Sequence, residues 1–149
     1  MKHSAIHLLG LFALLCGATT SYAVDYVSVG DSSAILYDAP SSKAKKLFIV
    51  NRYLPLEVVI TLDNWVKVRD RSGGLYWIEK QALSNQRYVF ALLALVDVRK
   101  QPDANAEPVC QVRQQVALEW LESTGTGWIK VRHRDGEVGY VRSSDVWGG

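Results

Sequence analysis

Charge of one sign is what this sequence lacks most. Seventeen Lys and Arg stand against fifteen Asp and Glu, a formal net charge of +2 over 149 residues. So small a balance gives no long-range field for nucleic acid or an anionic membrane, although a local basic patch stays open. Cysteine is equally scarce, with only Cys16 and Cys110. Of the three histidines, His3 and His7 sit at the extreme N-terminus, which leaves His133. One His and one Cys are too few for a zinc site, which needs three or four ligands. No Gly-rich loop stands at a strand-to-helix junction to cradle phosphate. No segment beyond the N-terminus sustains a helical period.

The N-terminus is a leader rather than part of the fold. Lys2 supplies a positive charge, Ala5 to Cys16 is nearly all apolar, and Ser21-Tyr22-Ala23 has the small-x-small form of a cleavage site. Residues 1–23 are therefore read as a secretory signal peptide, helical in its apolar part, cut near Ala23/Val24. The apolar run falls short of the ~20 residues that a spanning helix needs, so no stable membrane anchor is expected after cleavage. A lipid-modified Cys16 is disfavoured by the bulky Leu15 before it. Export then leaves a chain whose one thiol, Cys110, cannot close an internal disulfide. Stability must come from packing.

What is present is a repeat. Trp65-Val66-Lys67-Val68-Arg69 recurs as Trp128-Ile129-Lys130-Val131-Arg132 at an offset of 63. Upstream the offset is 62: Tyr26-Val27 falls on Tyr88-Val89, Pro40 on Pro102, and Leu56-Glu57 on Leu118-Glu119. The one-residue insertion lies where Ser123-Thr124-Gly125-Thr126-Gly127 faces Thr61-Leu62-Asp63-Asn64, and a loop tip is where a length change is cheap. Each copy alternates apolar and charged residues, turns at Gly, and alternates again, the pattern of a β-hairpin.

The first copy predicts strands at Tyr26–Val29, Ala34–Tyr37, Lys46–Val50, Leu56–Thr61, Trp65–Arg69 and Leu75–Ile78. The second predicts Tyr88–Leu92, Leu95–Arg99, Val109–Arg113, Val116–Glu122, Trp128–Arg132 and Val138–Val141. Short strands broken by Gly, Pro, Asn and Ser indicate two small all-β barrels, over residues 24–83 and 88–147. The joint at Leu83-Ser84-Asn85-Gln86-Arg87 has no Gly/Ser-rich spacer, so the two units are expected to pack in contact.

The motifs have the spacing of a known family. An apolar-x-Val-Arg segment, a Pro, an apolar strand, Trp-x-x-Val and Gly-x-x-Gly-aromatic-Val occur here as Val96-Asp97-Val98-Arg99, Pro102, Val109–Val112, Trp128-Ile129-Lys130-Val131 and Gly136–Val141. This second copy resembles a bacterial SH3-like domain. The first resembles a diverged one through Leu36-Tyr37-Asp38-Ala39-Pro40, Trp65-Val66-Lys67-Val68 and Gly73–Ile78. Two departures stand out. Gly139 is Tyr76 in the first copy, and the Gly usual at the entry to the central strand is missing from both, near Tyr53-Leu54 and Gln115-Val116. The resemblance implies an exported, non-catalytic binding module, often tied to the cell envelope. Its expected ligand is peptidoglycan or an envelope protein or peptide, and its expected compartment the periplasm.

Candidate binding residues follow from the strands. If Val66 and Val68 face the core, Trp65, Lys67 and Arg69 share the outer face, as do Trp128, Lys130 and Arg132. Such a platform can stack on a peptide or sugar while Arg grips a carboxylate. The competing reading has each Trp closing its barrel or the seam between units. Tyr37 and its mate Arg99 stand at the mouth of a variable loop. Tyr140, with its mate Trp77, is a further candidate, although the hairpin register turns both toward the core beside Leu75 and Val138. Trp120 is read as a core or interface residue, and His133 as solvated between two arginines.

No catalytic group, cofactor site or metal site is assigned. Cys110 lies in a strand-like run and reads as a buried structural thiol. A cysteine hydrolase would need it to meet His133 and a third orienting group. Glu57 and Glu119 fall in different units, too separate to flank one scissile bond. The alternatives to a wall-binding module are a scaffold for protein contacts and, behind it, an unrecognised cysteine hydrolase.

Overall fold

Alternation of apolar and charged residues produces two antiparallel sheets in the computed structural model, which describes residues 23–149. The expected leader lies, but for its last residue, outside the described residues. The first module contains β1 (Tyr26–Val29), β2 (Ala34–Tyr37), β3 (Lys46–Val50), β4 (Pro55–Thr61), β5 (Trp65–Arg69), β6 (Leu75–Glu79) and β7 (Leu83–Ser84). The second contains β8 (Tyr88–Ala91), β9 (Leu95–Arg99), β10 (Pro108–Arg113), β11 (Ala117–Ser123), β12 (Trp128–Arg132), β13 (Val138–Arg142) and β14 (Val146–Trp147). The strand orders are β3-β2-β6-β5-β4-β1-β7 and β10-β9-β13-β12-β11-β8-β14, the same topology twice. Every expected strand is present. The sequence missed β7 and β14, each entered by a single 3-10 turn, at Lys80–Ala82 and Ser143–Asp145. A two-residue strand is too short to carry a period.

Each module has its own core. Val29, Leu36, Leu56, Val66, Val68 and Ile78 close the first; Val89, Val98, Leu118, Ile129, Val131 and Val141 close the second. Val66 and Val68 point inward as expected, and so do their mates Ile129 and Val131. Gly73 and Gly136 turn the two hairpins at φ 90° and 94°, a region open to Gly at little cost.

The expected inward register of Trp77 and Tyr140 is not what forms. Leu75 and Val138, on the same face, are exposed at 46% and 39%, while Ile78 and Val141 are fully buried. The hairpin register therefore turns Tyr76 and Gly139 inward instead. At Gly139 a Cβ would stand 2.6 Å from the Arg99 carbonyl oxygen, so only Gly lets β13 approach β9 this closely. In the first module Tyr76 fills the matched position, packs against the core and meets Phe48 edge-on at 5.4 Å.

The modules touch, as the short joint requires. The Tyr88 backbone N–H donates to Ser28 Oγ at 2.9 Å, and Ser28 is fully buried. Tyr26 meets Trp147 edge-on at 5.4 Å. Arg87, in the joint itself, lies 4.3 Å from the Trp120 ring centroid and donates from Nη2 to the Gly148 carbonyl at 3.0 Å. Trp120 is thus both a core and an interface residue, packed on the second core beneath this guanidinium. Burial pulls the Arg87 guanidinium down from its ordinary value, and Asp25 and Tyr26 push the other way.

Candidate functional site: the cleft between the modules

Where β4 and β11 begin, the chain turns through Tyr53 and Gln115, which occupy matched places in the repeat. Both are left-handed, at φ 67° and 65°. These are the positions where glycine was missing from the pattern. A residue with a Cβ is strained there, a cost that a side-chain contact can offset. For Tyr53 the contact is visible: its ring stacks on Tyr88 of the second module at 4.4 Å, with 26° between planes.

This pair forms part of the wall of a cleft of about 680 Å³ between the modules. Arg52 and Asn51 come from the turn after β3, Val116 from the turn before β11, and Arg132, His133 and Arg134 from the end of β12. Among the described residues Glu119 is the one carboxylate lining it, and it is taken by Arg132 at 3.1 Å. Arg52 lies 5.3 Å from the Tyr53 ring centroid and has no ion pair among the described residues. Arg134 has only Asp135, at 3.7 Å. His133 Nδ1 lies 3.2 Å from Asp135 Oδ2, and its side chain is 17% exposed, against the expectation of a solvated histidine. The hairpin turn folds it back onto the module. Burial, then the neighbouring Tyr53, Glu119 and Asp31, push the Tyr88 phenol up, so it stays protonated at neutral pH. The cleft offers paired aromatic faces, a phenol donor, the unpaired Arg52 and the exposed Arg134, whose one ion pair is long. That suits a ligand with carboxylate groups beside a flat or apolar part.

Two models of bacterial SH3 domains match the chain, one over residues 30–85 and the other over residues 94–146. The chain carries two bacterial SH3 domains in tandem. No curated protein matches it. Among solved structures it is similar to NlpC1 from Trichomonas vaginalis, 14% identical over 93% of this chain and 51% of that one, with a TM-score of 0.39. It is also similar to NlpC2 from Trichomonas vaginalis, 12% identical over 85% of this chain and 49% of that one, with a TM-score of 0.37. The chain spans about half the length of each.

Of the expected binding residues, only Arg132 lines the cleft. Trp65, Lys67 and Arg69 do share the outer face of β5, but Arg69 is held by Glu57 at 2.6 Å across the β4–β5 ladder. Arg132 is held by Glu119 in the matched pair, and Lys130 by Glu122 at 3.4 Å. A ligand carboxylate would have to compete with these partners, whereas Lys67 has no ion pair among the described residues and lies 5.8 Å from the Trp77 ring centroid. Arg132 still reaches the cleft edge. Tyr37 does come together with Trp65, edge-on at 5.1 Å, in the first domain and away from the cleft. Its mate Arg99 is held by Asp97 at 2.7 Å and by the Ala106 carbonyl at 2.6 Å. Trp128 is buried, 9% exposed, beneath Arg142, which favours the barrel-closing reading of this residue over an open platform. Tyr140 pairs across the sheet with Lys130 and Arg99, on the outer surface.

Sequence reasoning missed Arg52, Tyr53, Tyr88 and Arg134. A signal did exist for Tyr53: a bulky residue in a place that calls for Gly. None existed for Tyr88, whose role depends on how the domains meet.

Cys110 is half-buried. Burial first, then the hydrogen bond and charge of Glu137 and the charge of Asp135, push its thiol up to about 11. It is a neutral thiol at physiological pH. Among the described residues no three His, Cys, Asp or Glu side chains gather as metal ligands.

Proposed function

We propose that this protein is an exported, non-catalytic binding module of the cell envelope that holds peptidoglycan, through its peptide carboxylates, in the cleft between its SH3 domains. The leader reading supports export, with cleavage near Ala23/Val24 and residence in the periplasm of a double-membraned bacterium. The observation that carries the reading is the Tyr53–Tyr88 stack with Arg52 and Arg134 beside it, built half from each domain. A neutral, part-buried Cys110 supports the absence of cysteine chemistry. The test is co-sedimentation with purified sacculi, with cross-linking in cells alongside. Wild type is expected in the pellet, and an Arg52→Ala/Arg134→Ala double variant with unchanged circular dichroism in the supernatant. Equal retention of both would refute the cleft as the site.

A second reading, a scaffold for protein contacts, draws on one specific feature. β3 is an edge strand with Phe48 and Ile49 exposed at 54% and 78%. An unguarded apolar edge is a template for an added strand. On that reading cells would yield a cross-linked protein partner and sacculi would retain nothing.

A further inference from the structure

The two domains answer one question in different ways: what covers the face of the repeated tryptophan. Across the sheet Trp128 pairs with Arg142, and Trp65 pairs with Glu79, at matched places in the repeat. In the second domain the Arg142 guanidinium lies 5.1 Å from the Trp128 ring centroid. In the first domain a carboxylate stands where that cation would be. Among the described residues no cation lies over Trp65. Instead a groove of about 470 Å³ opens beside it, lined by Trp65, Glu79, Asp63, Gln81 and Ser42, with the exposed Lys80 at its rim. Lys80 forms no ion pair with either carboxylate. Behind them the buried Tyr37 stands edge-on to Trp65 at 5.1 Å, with its hydroxyl donating to Glu79 Oε1 at 3.4 Å. Gln81 Nε2 donates to Glu79 Oε2 at 2.5 Å, which fixes the carboxylate.

We propose that this groove of the first SH3 domain binds the alkyl-linked cation of a ligand, an ammonium or guanidinium group, in the place that Arg142 fills in the second domain. The second domain carries its own occupant; the first has exchanged the occupant for an acid and left the seat open. An indole face attracts a cation through its quadrupole, and a carboxylate in the same sheet supplies the opposite charge. Tyr37, buried behind the groove, braces both the Trp65 ring and the Glu79 carboxylate, and Asp63 adds negative charge to the lining. None of these residues belongs to the inter-domain cleft, so the site stands whether or not the cleft takes peptidoglycan.

The test is a titration of the protein, labelled at its tryptophan indole nitrogens, with three amides of one shape: Nα-acetyl-lysine, Nα-acetyl-arginine and the uncharged Nα-acetyl-norleucine methylamide. The Trp65 resonance, assigned by Trp65→Phe, is expected to shift saturably with lysine or arginine amide and not with norleucine amide, while Trp128 stays still. Which cation shifts it more identifies ammonium or guanidinium as the preferred group. Glu79→Gln is expected to weaken the response about tenfold, the scale of losing one charge-assisted contact. Glu79→Arg, which rebuilds the second domain's pair, is expected to abolish it. No saturable shift with either cation, an equal shift with norleucine amide, or an undiminished response in Glu79→Gln would each overturn the proposal. Should Glu79→Arg fail to fold, Glu79→Gln decides.

Discussion

Tyr53 and Gln115 invite a matched pair of substitutions. They occupy one position of the repeat, with φ 67° and 65°, and differ in what the side chain does. Gln115 is exposed and its side chain has no hydrogen bond among the described residues, whereas the Tyr53 ring stacks on Tyr88 at 4.4 Å. Replacing either by Gly relieves left-handed strain worth about 1–2 kcal/mol. The glycine also loosens the unfolded chain, which takes back about 0.5–1 kcal/mol. Gln115→Gly should therefore leave stability unchanged or raise it by up to about 1 kcal/mol. Tyr53→Gly has the same backbone gain but loses the stacked pair, about 0.5–1.5 kcal/mol, and with it the burial of a half-covered ring, about 1–2 kcal/mol more. The net expectation is a loss of about 1–2 kcal/mol. Urea denaturation followed by tryptophan fluorescence measures both, using the first transition if the domains unfold separately. Because the backbone contribution is common, the gap between the two variants isolates the ring. Tyr53→Gly as stable as Gln115→Gly would refute the assignment of Tyr53 to the inter-domain contact.

Two further expectations concern the thiol and the joint. With Cys110 pushed up to about 11 from an ordinary 9, folding favours the protonated form. That contribution is complete below pH 9 and is lost as the pH rises through 11. Iodoacetamide should alkylate the folded protein with a half-maximal rate near pH 11 and the urea-unfolded protein near pH 9, and coincident profiles would contradict the stated burial. At the joint, Arg87→Lys keeps the charge but gives up the planar guanidinium over Trp120, so stability should fall by about 1 kcal/mol. Limited proteolysis should then nick the chain between the domains. A Lys variant that matches wild type while Arg87→Ala falls would show that charge, not the flat stack, holds the joint.

The sequence by itself determined the local structure of this protein. Alternation places Val66, Val68, Ile129 and Val131 inward because a pleated strand sends neighbouring side chains to opposite faces. The duplication fixed two units of one topology, and the inserted residue marked the loop between β11 and β12. The register of β6 and β13 was misread because a turn at Gly73 or Gly136 does not announce which of the next two residues points inward. Backbone contact decides that: Gly139 sits where β9 leaves no room for a Cβ. The partners of the outer-face cations were hidden for a similar reason. Glu57 reaches Arg69, and Glu119 reaches Arg132, only once the β4–β5 and β11–β12 ladders set their register. The cleft was less legible still, since Arg52 and Tyr53 meet Tyr88 and Arg134 only through the packing of one domain on the other. Alternation is a property of neighbours in the chain and can be read from it. The seat over Trp65 and the space between the domains belong to residues far apart in sequence, and only the tertiary structure brings them together.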